Sequence, residues 1–195
     1  SISSSLLLSP GTVLKQADAF YFAVNNGASV ISNSWYQTYQ NSILDSAISY
    51  ALTNGRGGKG CVVVFSAGNF NNSSLGYPAN SNSNIVVVGA LSWCGERKSS
   101  SSCDGEYWWG SNYGTELDIM APGVGIPTTT LGSNYDTFNG TSAAVPHVAG
   151  VAALVLSINP NLTQKQVADI LEQTAQKVGG YSYSTVSATP NGIWD

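Results

Sequence analysis

Charge is scarce in this chain of 195 residues. Only 9% of them are Asp, Glu, Lys or Arg, against roughly a quarter in an average soluble protein. Seven Lys and Arg stand against eleven Asp and Glu, a net charge of −4. That is too little base to displace counterions from a nucleic acid or to grip an anionic membrane surface, so neither is expected as a partner. No apolar run approaches the ~20 residues of a membrane span; the longest, Val148 to Ile158, is broken by Gly150. Ile2 to Leu8 lacks the basic flank and the small-residue cleavage site of a signal peptide. There are three cysteines, none at a zinc-binding C-x₂-C spacing, and no metal ligand is assigned. Cys94 and Cys103 bracket a Ser-rich loop, CGERKSSSSC. They read either as a local disulfide, which suits an oxidising compartment, or as two free surface thiols. Cys61 opens an apolar run and reads as a buried small hydrophobe.

What is present is 43% hydrophobic residues, enough for a globular core, under a surface of uncharged polar side chains. Helix and strand patterns alternate. Val13, Leu14, Ala17, Phe20, Tyr21 and Val24 recur at helical spacing, and so do Ile43, Leu44, Ala47, Ile48, Ala51 and Leu52. Asn-Gly pairs end both runs. Ala28–Asn33, Cys61–Ser66, Ile85–Ala90 and Leu117–Met120 read as short strands, the second and third buried on both faces. Residues 94–114 show no periodicity and read as a long surface loop. Val124–Phe138 reads as a hairpin around Gly132-Ser133-Asn134. Ser142–Ile158 is small and apolar on every side, which predicts a central, buried helix. Thr163 and Gln166 form a capping box that opens a last helix through about Gln176. The expectation is an α/β fold, a parallel sheet with helices on both faces in three layers, in one domain.

Ser142 follows Asn139-Gly140-Thr141 at the start of the apolar helix. A helix N-terminus offers unpaired N–H groups and a positive dipole end, which stabilise developing negative charge. A serine there also serves as an ordinary cap. The whole run GTSAAVPHVAGVAAL, Gly140 to Leu154, resembles the serine motif of the subtilisin-like (subtilase) proteases, with Ala143 where the familiar pattern has Met. Val62 to Asn69, VVVFSAGN, Gly27 to Trp35, GASVISNSW, and Leu117 to Gly123, LDIMAPG, resemble other family segments in the same order. The resemblance implies a serine endopeptidase acting on peptide or protein substrates, secreted, with Ser142 as nucleophile and Asn69 as oxyanion donor beside the Ser142 N–H. It implies substrate binding by Ser34, Trp35 and Tyr36 along the chain, by a pocket wall of Ser66, Ala67 and Gly68, by Gly76 at the pocket base, and by Thr141 beside the nucleophile. No cofactor is implied for the chemistry. Calcium is implied as a possible structural ion, near Ala79 to Asn84.

The resemblance also exposes a gap. A serine hydrolase needs a base and a carboxylate to orient it, and subtilases carry them in the order Asp, His, Ser. The one histidine, His147, lies five residues after Ser142, roughly 140° around a helix, and matches a structural histidine of the motif. The Asp and His motifs are expected N-terminal to Ala17, so residues 1–195 read as a partial catalytic domain, truncated at both ends, that is nearly inactive alone. The missing N-terminal portion of the same domain is an expected partner. The competing reading is a non-catalytic peptide-binding module that keeps the substrate groove.

Overall fold

The computed structural model describes residues 13–183. Four parallel strands, β1 (Val30–Asn33), β2 (Val62–Ser66), β3 (Val86–Leu91) and β4 (Ile119–Pro122), lie side by side in chain order. Val30 pairs with Val62, Val64 with Val86, and Val88 with Ile119. Successive side chains of a strand point to opposite faces, and β2 and β3 spend that alternation on two cores. Val63, Phe65 and Val87 pack under α1 (Val13–Asn25) and α2 (Ser42–Gly58). Val62, Val64, Val86 and Val88 pack under α3 (Thr141–Ile158) and α4 (Gln164–Thr174). The result is the three-layer α/β arrangement expected from the sequence. The regular turns of α2 stop at Asn54, because Gly55, Arg56 and Gly57 leave the helical region. The antiparallel hairpin β5 (Ile126–Thr130) and β6 (Asn134–Phe138) stands apart from the sheet. Thr163 and Gln166 make both bonds of the capping box at α4.

Two expectations need correction. α3 is not buried all round: Val151, Leu154 and Ile158 are 48%, 65% and 87% exposed. The sheet and α4 cover one side only, and among the described residues nothing packs on the other. By length and composition α3 is also apolar enough to cross a membrane, which the sequence reading missed because it stopped at Gly150. Its inner residues, Ala144, Val145, Val148, Ala152 and Leu156, are packed on the strands, as befits a core helix. Second, residues 94–114 are more than surface. Cys94 and Cys103 form a disulfide, and inside the loop Lys98 and Asp104 pair at 3.0 Å with both side chains fully buried.

Candidate active site

β2 runs straight into the site. After Ser66, the chain turns at Gly68, whose φ of +104° favours glycine; a Cβ there would come 2.5 Å from Asn112 Nδ2. Asn112 is 2% exposed and braces this turn: its Nδ2 donates to Ala67 O and its Oδ1 accepts from Phe70 N. Asn69 is thereby held at the C-terminal end of the sheet, where open α/β sheets bind ligands.

The second arm is the turn into α3. Gly140 has φ +125°, and its N–H donates to Gly123 O at 2.8 Å. Thr141 is fully buried. Its backbone N–H and its hydroxyl both donate to Asn69 Oδ1, at 2.8 and 2.9 Å, and its hydroxyl accepts from Gly68 N. With Oδ1 doubly tied, the Asn69 amide orientation is fixed, and a Cβ on Gly140 would lie 3.3 Å from Asn69 Nδ2. Nδ2 and the Ser142 N–H, in the first turn of α3, have no acceptor among the described residues. Two donors thus stand open beside the Ser142 hydroxyl.

That hydroxyl donates to Ser34 O at 3.4 Å, while the Ser34 hydroxyl donates to Ser142 O at 3.0 Å. Ser34, Trp35, Tyr36, Ser66, Gly68, Asn69, Thr141 and Ser142 line one cleft of about 250 Å³. Three positions behave differently from their sequence-based roles. Ala67 is fully buried among the α1–α2 core residues, so its side chain does not reach the cleft. Gly76 is not among the lining residues; it lies beside Tyr36, whose Cβ would be 3.7 Å from a Cβ at Gly76. The Thr141 hydroxyl is committed to Asn69 and Gly68. Trp35 splits its surface between cleft and core, edge-on to Phe65 at 5.1 Å. Tyr36 meets Phe70 edge-on at 5.6 Å. Phe70 and Asn112 escaped the sequence reading; the turn residue Gly68 was the signal that a brace must be near.

His147 takes no part. Its Nδ1 lies 2.9 Å from Ala143 O, one turn back on its own helix.

Comparison with known proteins identifies the family. The model of the subtilase family matches residues 6–189. The chain is 40% identical over 166 residues to subtilisin E of Bacillus subtilis, covering 83% of this chain and 39% of that protein. It is 39% identical over 170 residues to a thermophilic serine proteinase of Bacillus sp. strain AK1, covering 87% and 38%. Among solved structures, a cold adapted subtilisin-like serine proteinase superposes with a TM-score of 0.71 at 32% identity, covering 86% of this chain and 56% of the other. The prenylagaramide maturation protease PagA gives 0.71 at 27%, covering 92% and 62%. The chain therefore spans from about two fifths to three fifths of the length of these relatives. On the family match and the identity, this chain belongs to the subtilase family.

Proposed function

We propose that this chain forms the nucleophile-bearing part of a secreted serine endopeptidase that cleaves peptide or protein substrates through an acyl-enzyme. The observation that carries the reading is the Asn69 amide, locked by Thr141 so that its N–H₂ stands open beside the Ser142 N–H. Ser142 Oγ attacks the scissile carbonyl carbon. The two donors receive the oxyanion, and a base outside this chain takes the hydroxyl proton and returns it to the leaving amine. Water then releases the acyl group by the same route. The open edge of Ser34, Trp35 and Tyr36 accepts the substrate as an added strand, giving main-chain hydrogen bonds with modest side-chain demands. Ser66 and Gly68 wall the cleft beyond. The disulfide suits an oxidising, extracellular setting.

The base comes from the N-terminal portion of the same domain, by the family's chain order. The exposed apolar side of α3 and the edge of β1 that pairs with no strand among the described residues are the surfaces such a portion would cover. Without it, turnover falls by about 10⁶, the loss known for removing the histidine of a subtilisin. Calcium is proposed as a structural ion near residues 79–84. There the Ser81 hydroxyl is buried with no partner; the segment offers oxygens but no carboxylate, so binding is weak and enters no chemical step. A chelator should lower the melting temperature by a few degrees, and an unchanged melt would remove the ion from this account.

The deciding experiment is intact-mass analysis before and after a fluorophosphonate probe, on the full-length protein and on this chain alone. One adduct on Ser142 of the full-length protein, reduced about 10²–10³-fold in rate by Asn69→Ala, the penalty for one such donor in a subtilisin, is the expected result. A full-length protein that binds peptides yet takes no label would instead be the non-catalytic module.

A further inference from the structure

We propose that Glu106 is a positioning residue for the nucleophile turn, and that the disulfide-bearing loop between β3 and β4 exists in this chain to hold it. The inference rests on the reading of Ser142 as nucleophile. Glu106 is fixed from both ends. Its backbone N–H donates to Asp104 Oδ1 at 2.9 Å, and its carbonyl accepts from the buried Lys98 ammonium. Its side chain is fixed as well: Oε2 accepts from Trp109 Nε1 at 2.6 Å, and the Trp109 ring lies 5.1 Å from Lys98 Nζ. The remaining oxygen, Oε1, accepts from Asn139 Nδ2 at 2.6 Å, a bond that crosses 33 positions of sequence.

Asn139 is the residue from which the chain enters Gly140, Thr141 and Ser142. Its other arm, Oδ1, accepts from Gly125 N. An amide side chain can present either end to either neighbour, and here the choice is forced. Glu106 offers only acceptors, so Nδ2 must face it and Oδ1 must face Gly125. The turn is then clamped between the end of β4, through Gly123 and Gly125, and the loop, through Glu106. Gly140, held in a backbone conformation that other residues rarely adopt, comes next. Releasing Asn139 lets this turn rotate, and with it the Ser142 N–H relative to Asn69. Misplacement of a reacting group by about 1 Å costs on the order of 10²-fold in rate.

The test uses the direction of these bonds. In Glu106→Gln the new amide has one acceptor for two donors, so either Trp109 or Asn139 faces an N–H₂. In Asn139→Asp two carboxyl groups face each other where an amide donor met an acceptor, and like charge drives them apart. The double variant Glu106→Gln/Asn139→Asp restores every bond: the glutamine oxygen accepts from Trp109, its N–H₂ donates to the new carboxylate, and that carboxylate still accepts from Gly125. On the full-length protein, each single variant should lower kcat for a peptide anilide, and the rate of fluorophosphonate labelling of Ser142, by about tenfold or more. KM should stay within about twofold. The double variant should recover most of the lost rate. Singles that leave kcat unchanged, or a double variant no faster than the slower single, would overturn the role. Trp109→Phe removes a single donor to Glu106 without altering Asn139, so a loss confined to it, with Asn139→Asp silent, would reduce the loop to packing. If the unsubstituted protein takes no label, the nucleophile reading fails and this inference falls with it.

Discussion

In the loop between β3 and β4, Asp104 is buried beside Lys98 and surrounded by donors. Burial alone raises its pKa, but the Glu106 N–H, Lys98 and the Ser102 hydroxyl outweigh it and hold the carboxyl below the usual range. Between β4 and α4 the opposite occurs. Asp118 has one backbone donor, Val87 N–H at 2.7 Å, and burial pushes it up to about 7. Glu172, 4% exposed, is pushed up to about 8, by burial first and then by the like charges of Asp118 and Asp169, with Lys165 opposing. Desolvation acts on all three; the number of donors aimed at the carboxylate decides the sign. The loop, which shows no periodicity, is electrostatically finished. The end of the regular sheet is not.

Removing the finishing is the strongest way to break that contrast. Lys98→Met leaves the buried Asp104 without its cation and should cost about 3–5 kcal/mol, read as a fall in denaturant midpoint at pH 7. A loss under about 1 kcal/mol would mean that water reaches the pair. The next largest effect lies at the other end. Raised folded pKa values mean that the native state keeps protons which the unfolded chain has released above about pH 4. Stability from Asp118 and Glu172 is therefore whole below about pH 4, declines as pH climbs from there, and is fully lost above about pH 7 to 8. Glu172→Gln should gain about 2 kcal/mol over the native protein at pH 9 and almost nothing at pH 3.5. Parallel stability curves for the two proteins would refute the assignment. The smallest effect sharpens the comparison. Thr163→Ala removes the hydroxyl that accepts from Gln166 N, costs about 1 kcal/mol, and loosens the helix that buries Glu172. The pH-dependent loss should then be smaller and level off at lower pH, as titrated calorimetry can detect.

The sequence made the strands and the glycine turn into α3 legible because both are local. The run Val62–Ser66 announces its burial by composition, and Gly140-Thr141-Ser142 marks the start of α3 within three positions. The outer side of α3 was misread because apolarity measures what a helix can bury, not which neighbours are there to bury it. Ala67 was assigned to a pocket wall by family resemblance, which carried over three consecutive positions, but alternation turns its side chain into the core. Lys98, Asp104 and Glu106 were invisible for a different reason. No spacing rule connects an irregular loop to Asn139, and each charge looked like an ordinary surface residue until its partners were brought around it.

The Asn139 side chain has a consequence for how the protein is made. Asn139-Gly140-Thr141 is an acceptor site for N-linked glycosylation, and the atom a sugar would take is Nδ2, the one that donates to Glu106. A secretory host that glycosylates asparagine would attach a bulky group three residues from Ser142 and remove the Asn139–Glu106 bond in a single modification. Material from such a host should be heavier by a glycan and slow, while bacterial material would carry the bare amide.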